Sequence, residues 1–297
     1  MDDEQIEEEQ PRRSPLGLII TLLLIVVVPL VVGFIAAPKL IPEPKVGVIR
    51  LNFDIDGLSA YEITEQLAYA REDPAIKAVT LIINSPGGSA AFSEELFLDV
   101  LNTRNDLPVV ASADLLAASG AYYMAAAADE IYAKPTSSVG SIGVIGLLPG
   151  PVFIEDDILT TGPYKSFGGT RDGMTRQIEM AKYSFLEAIT AGRGDRLKVD
   201  PEFLSRAEIY TGVQAQQMGL VDELGSTDEA IQRAADLAGL RTYEVVELFP
   251  LAFSEFFDEV DAQVYQPNRL DPATLWAAPT DLPAGIYYRF IELPSDR

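Results

Sequence analysis

The stretch Ala78–Ile83, AVTLII, constrains the fold more than any other. It is of strand length, carries no charge and lacks the polar alternation of a strand with one wet face. Such a strand needs cover on both faces, as in a parallel sheet flanked by helices. The flanking sequence supplies the partners. Val46–Leu51, VGVIRL, reads as a preceding strand. Between the two, Ile63, Leu67 and Ala70 recur at helical spacing, so a helix is expected over about 60–71. Ser59-Ala60-Tyr61-Glu62 matches a capping box at its start. Leu96, Phe97, Val100 and Leu101 then mark one face of a second helix. Val109–Ala113 is a third strand and Glu130–Ala133 a short fourth. The order β-α-β-α-β-α predicts an α/β fold with crossover helices.

The second half is more helical. Ile178, Ala181, Phe185, Leu186 and Ile189 form an amphipathic stripe after Thr175. Asp200-Pro201 opens another helix with proline at its first position. Thr211–Gln214 is a capping box whose helix Gly219 closes, and Thr227–Leu240 is the last clear helix. Beyond Pro250 the chain mixes prolines with Phe253, Phe256, Phe257, Trp276, Tyr287, Tyr288 and Phe290. So many aromatics are foreign to a disordered tail. Part of 243–290 is expected to pack on the domain or on a neighbouring copy.

The N-terminus is organised differently. Residues 1–15 are polar, with six acids from Asp2 to Glu9, and read as a disordered tail. Residues 16–37 carry no charge. As a helix they would span roughly 33 Å, enough to cross a bilayer core, and the run is too long for the apolar core of a cleaved signal peptide. The expectation is one transmembrane helix over 16–37. A Pro-rich linker (38–45), one domain (46–245) and a C-terminal extension (246–297) follow it.

Composition removes several function classes. The net charge of −23 excludes nucleic acid as a partner, since phosphate binding needs clustered Lys and Arg. The same acidity, with only seven lysines, fits either a high-salt habitat or an ordinary acidic protein. There is no cysteine, which rules out disulfides, thiolate catalysis and Cys-based metal sites. There is no histidine either, so a Ser-His-Asp triad is impossible. Serine chemistry here needs a lysine, a carboxylate or an N-terminal amine as base. No metal site and no cofactor is expected.

Four places remain as site candidates. Ser119 lies in LLAASGAYYMAAAA (115–128), at a strand-to-helix turn followed by alanines of high helix propensity. It can cap that helix, or act as a nucleophile at its N-terminus. NSPGGS at 84–89 follows a buried strand and precedes a helix. Gly87 and Gly88 there make either an ordinary turn or a main-chain oxyanion hole. Lys165 sits in GPYKSFGG with no acid from Thr160 to Arg171. It is either a solvated loop lysine or a base whose neutral form is favoured by apolar surroundings. Ser141, in VGSIGV, could hold a neutral amine or simply bond a turn.

From Val46 to Leu240 the chain resembles the signal peptide peptidase A family, whose fold is similar to the Clp protease and crotonase group. NSPGGS (84–89), AASGAYYMAAAADEIYA (117–133), VGSIGVIG (139–146), GPYKS (162–166) and IYTGVQAQQMGLVDELG (209–225) carry the resemblance, in the family's order. It implies a spiral of repeated β-β-α units. It also implies a Ser119 nucleophile, a Lys165 general base, an oxyanion hole at Gly87 and Gly88, and a Ser141 that positions the lysine. The implied substrates are cleaved signal peptides and other short or unfolded chains. The implied assembly is a ring-shaped homo-oligomer at the cell membrane, with its catalytic domain outside the cytoplasm. Two departures stand out. The family's SGG is SGA here, with Ala121 third, and the segment from Ser141 to Lys165 is short. Two other classes stay open: a crotonase-like acyl-CoA enzyme and a catalytically silent membrane scaffold.

Overall fold

The computed structural model describes residues 20, 22–32, 43–146, 161–162, 164–165 and 168–254, and the backbone of 286–289. The polar tail, the ends of the apolar run and most of the Pro-rich linker lie outside the described residues. The chain divides into two compact units, Met1–Glu43 and Pro44–Arg297. In the first, residues 22–32 are helical with exposed apolar side chains. No helix among the described residues is long and apolar enough to cross a membrane.

The second unit is mixed α/β, built on a parallel-rich sheet. Its strands are β1 (Lys45–Leu51), β2 (Ile76–Ser85), β4 (Val109–Ala118), β5 (Glu130–Ala133), β6 (Ser138–Gly140), β8 (Ile209–Thr211), β9 (Glu223–Leu224) and β10 (Glu244–Glu247). The order β10-β1-β2-β4-β5-β9 is parallel throughout. β6 pairs parallel with β4 beyond the end of β5, and antiparallel with β8. Three further strands form a second small sheet: β3 (Gly87–Ser89), β7 (Ile145–Gly146) and β11 (Ile286–Arg289). β2 and β3 followed by helix α2 (Ala90–Asp106) make the plainest β-β-α unit.

Both faces of the central strands are covered, as the uncharged run at 78–83 requires. Helix α1 (Gly57–Glu72), α2 and the short α3 (Gly120–Ala125) pack one face, with Ile49, Leu51, Val79, Leu81, Ile83 and Ala111 in the main core. On the other face Val46, Ala78 and Val110 pack against Ala230, Ala234 and Ala235 of α7 (Thr227–Leu237). The remaining helices are α4 (Arg171–Arg193), α5 (Pro201–Leu204), α6 (Gly212–Met218) and α8 (Phe249–Ala252).

Local chemistry shifts three boundaries. Helix α1 starts before the expected capping box, because Asp56 is the N-cap. Its carboxylate accepts from the Leu58 and Ser59 amides, and Ser59 closes the box from the third helical position. The alanines at 126–128 do not continue α3. They form a buried turn whose Ala127 and Ala128 carbonyls accept from Arg104. Close contact with α4 leaves no room there, since a Cβ on Gly192 would lie 2.0 Å from the Ala126 carbonyl oxygen. The last helix ends at Leu237 rather than Leu240, with Gly239 at φ +70° just beyond.

Two described parts of the C-terminal region pair with the domain, while Phe256, Phe257, Trp276 and Phe290 lie outside the described residues. β10 extends the sheet beside β1, and Leu248 is fully buried in the main core. β11 lies antiparallel to β3, with Tyr288 opposite Gly88, and its other edge pairs with β7.

Candidate active site

Ser119 occupies the single-residue joint between β4 and α3. Its φ is +55° and its ψ −124°, a conformation that residues with a Cβ avoid. The sharp turn is held from both sides. The Ser119 N–H donates to the Gly140 carbonyl at 2.8 Å, and its own carbonyl accepts from the Tyr123 amide at 2.9 Å. The hydroxyl caps nothing, because α3 has no side-chain cap bond. Its Oγ is wholly buried and has no hydrogen-bond partner among the described residues. An orphaned buried hydroxyl on strained backbone is a net cost to the fold. Ala121 sits inside the helix, where alanine is the better residue, so the departure from SGG is harmless.

The two tyrosines after Ser119 clamp α3. The Tyr122 hydroxyl donates to the Leu220 carbonyl at 2.8 Å, and burial pushes this phenol well above its usual pKa although Arg193 opposes the shift. Tyr123 is wedged between Phe97 of α2, edge-on at a centroid distance of 5.1 Å, and Phe185 of α4, tilted at 4.7 Å. Under this layer Arg193 is buried. It donates to both carboxylate oxygens of Asp222 at 2.7 and 2.9 Å and to the Gly219 carbonyl at 2.8 Å.

β3 is the second wall, and α3 packs against it. β2 and β4 bring the two together, since Ser85 stands opposite Ala117, each two residues before Gly87 and Ser119. Gly87 has φ +92°. Its amide donates to the Ser85 hydroxyl at 3.1 Å. The Gly87 carbonyl and the Ser89 amide are taken by Ile55 at 2.8 Å each. Strand alternation therefore turns the Gly88 amide to the opposite edge, where β11 runs. Only glycine fits at 88, because a Cβ would lie 2.1 Å from the Ile55 carbonyl oxygen.

Ser141 follows the Gly140 that binds Ser119. It is buried at φ +53°, and its amide donates to the Glu208 carbonyl at 2.8 Å. Lys165 is not joined to this group. It is exposed on the turn after Gly162, and no described contact links its amine to Ser119 or Ser141. Lys134 is already paired with Asp114. The structure thus brings together Ser119, Gly87, Gly88 and the Gly140-Ser141 turn, and leaves Lys165 apart.

Two family models match the chain. The model of peptidase family S49 matches residues 102–241, and the Clp protease model matches 44–139. The first covers the Ser119 joint, Ser141 and the Lys165 loop, and the second covers the Gly87-Gly88 wall. Over these residues the chain is similar to the signal peptide peptidase A family, S49. It is 32% identical to Protease 4 of Haemophilus influenzae over 69% of this chain and 37% of that protein. It is 31% identical to Protease 4 of Salmonella typhi over 61% of this chain and 31% of the relative. The chloroplastic serine protease SPPA of Arabidopsis thaliana is 28% identical over 65% of this chain and 31% of its own length. The chain thus spans about a third of the length of these three relatives.

Sequence reasoning missed the clamp around this site. Tyr122, Tyr123, Arg193 and Asp222 hold α3 in place. The paired tyrosines beside the serine, and a lone arginine ending an amphipathic helix, were the available signals.

Proposed function

We propose that this protein is a serine peptidase acting through Ser119, with Lys165 as general base. The observation that carries this reading is the Ser119 hydroxyl, buried, without a partner among the described residues and held at φ +55° on a strand-to-helix joint. Strain of this kind persists where surrounding structure over-determines it, and a nucleophile needs that fixed presentation. Ser119 attacks a peptide carbonyl while the Lys165 amine takes its proton and hands it to the leaving amine as the C–N bond breaks. Water deprotonated by the same Lys165 amine then hydrolyses the acyl-enzyme ester, releasing the acid and reprotonating Ser119. Of the two glycines, Gly87 already spends its amide on the Ser85 hydroxyl, whereas the Gly88 amide faces the edge of β3 that β11 covers, so Gly88 is the better oxyanion donor once that edge is freed. A peptide substrate lying where β11 now lies would pair with β3 as an added strand. That mode suits short or unfolded chains, including signal peptide remnants.

Lys165, itself exposed, reaches Ser119 once its segment docks over the site, in its own chain or from a neighbour in a ring-shaped homo-oligomer. Residues 16–37 anchor the protein in the cell membrane, with the peptidase domain outside the cytoplasm. The test is a fluorophosphonate probe, which modifies only activated serines. The expected result is one label, mapping to Ser119 and absent from Ser119→Ala. A folded wild type that is unlabelled, or labelled elsewhere, would overturn the reading.

A further inference from the structure

The ladder between β2 and β4 contains an irregularity that neither strand pattern announces. Ile83 stands opposite Ala113, but Ser85 stands opposite Ala117. Two steps along β2 therefore match four along β4, and Asp114, Leu115 and Leu116 bulge against Asn84 alone. A bulge frees backbone groups that need other partners. Here two side chains supply them. Asn84 is buried, and its Oδ1 accepts from the Leu115 amide at 2.6 Å. The Ser137 hydroxyl lies 2.8 Å from the Ala113 carbonyl and 3.1 Å from that of Asp114, donating between them.

The bulge sits just before both halves of the site. Gly87 is three residues beyond Asn84, and Ser119 is four beyond Leu115. Each residue of strand advances the chain by about 3.3 Å, so losing the two-residue offset would slide Ser119 by about 7 Å relative to Gly88. We propose that Asn84 is a positioning residue that sets this register by replacing the ladder bond the bulge removes. The role rests on the reading of Ser119 and Gly88 given above. The other end of the Asn84 amide is also engaged. Its Nδ2 makes long contacts, 3.4 Å each, to Asp114 Oδ2 and to Asn52 Oδ1 at the end of β1. Asp114 in turn accepts from Lys134 and from Thr227 at the start of α7. The bulge is thereby tied to four elements at the carboxyl ends of the strands.

The test uses the full-length chain and two readouts. One is the rate of fluorophosphonate labelling per folded molecule, and the other is hydrogen exchange at the Leu115 amide. Asn84→Ala should speed Leu115 exchange at least tenfold more than exchange elsewhere in β4, and slow labelling by about tenfold or more. Asn84→Asp keeps the acceptor for Leu115 but faces the Asp114 carboxylate, so its labelling should fall between the two. Adding Asp114→Asn to Asn84→Asp restores a donor facing an acceptor, with the direction reversed, and should recover labelling toward wild type. A merely structural asparagine would leave the labelling rate of folded protein unchanged in all three. That result, or an unchanged Leu115 exchange in Asn84→Ala, overturns the proposal. If wild type itself is unlabelled, the serine reading fails and this role falls with it. If wild type is labelled and the Asn84 variants match it, only the positioning role fails.

Discussion

The joint that carries Ser119 and the loop that carries Lys165 are built in opposite ways. Around Ser119 every residue from Leu116 to Ala128 is fully or nearly fully buried. Its backbone is pinned to Gly140, its helix is clamped through Tyr122 and Tyr123, and the Arg193–Asp222 pair lies beneath. Lys165 has one long backbone bond to Gly162, at 3.4 Å, and an exposed side chain. The glycines around it, Gly162, Gly168 and Gly169, all have positive φ and meet nothing where a Cβ would stand. One half of the candidate site is thus prepared by the core of the domain. On the proposed reading, the other half is left to be placed by a later contact.

The largest expected effect comes from the loop. Lys165→Met removes the amine while keeping most of the side-chain length. It should lower peptidase activity by about 10²–10⁴-fold, the usual contribution of a general base, and leave stability within about 0.5 kcal/mol because the residue is exposed. Lys182→Met, on α4 against Tyr183, should keep activity within about threefold under the same principle of additive, distant sites. Peptide hydrolysis and a urea melt of each variant decide the matter. An active Lys165→Met would place the base elsewhere.

The joint should respond in the reverse manner, through stability. Arg193→Met leaves the Asp222 carboxylate without its two-point partner and the Gly219 carbonyl without its donor. Removing one member of a buried pair costs about 3–5 kcal/mol, and Asp222 keeps only the Ile131 amide and a long contact to Arg196. A loss under about 1 kcal/mol by chemical denaturation would show that the clamp is not what holds α3.

Much of this contrast could be read from residues. The uncharged run at 78–83 demanded a strand covered on both faces, and the structure supplies α7 on one side and α1 to α3 on the other. The Ser119 and NSPGGS motifs fall on the joint and on β3 because strand ends and glycine turns are local features. What sequence did not reveal depends on distant partners. Asp56 outcompetes Ser59 as N-cap because its carboxylate reaches two amides. The alanines at 126–128 have high helix propensity, yet Arg104 and Gly192 claim their carbonyls and their space. The bulge opposite Asn84 has no pattern of its own, because a side chain completes its bonding. The pairing of β11 with β3 joins residues some two hundred positions apart, which no local signal encodes.

The strain at Ser119 supplies a smaller effect of opposite sign. Ser119→Gly frees a positive-φ position and deletes a buried hydroxyl that has no partner among the described residues. It should abolish labelling while raising stability by about 1 kcal/mol, the strain relieved exceeding the added entropy of a glycine in the unfolded chain. A destabilised Ser119→Gly would mean that the joint is not strained and that the residue is held for packing.

The smallest effect concerns the pH response of Asp114, the carboxylate that faces Asn84. Burial pushes this group up, but the hydrogen bond and charge of Lys134, with further hydrogen bonds from Thr227 and Asn84, outweigh it and hold the carboxyl below its usual value. A carboxyl depressed in the fold favours the native state while ionised. Its contribution is complete above the unfolded value of about 3.9 and is lost as pH falls through the lower folded value. The side chain is 30% exposed, so solvent screening keeps the contribution below about 1 kcal/mol. Asp129 works against it, since burial raises that carboxyl despite the Val109 amide, Arg104 and Arg196. Comparing wild type with Asp114→Asn isolates the first group from the second. The stability gap between them should be constant from neutral pH down to about pH 5 and should close below the ordinary carboxylate range. A gap that widens toward acid would mean that burial dominates at Asp114, and that its charge weakens the register of the bulge instead of holding it.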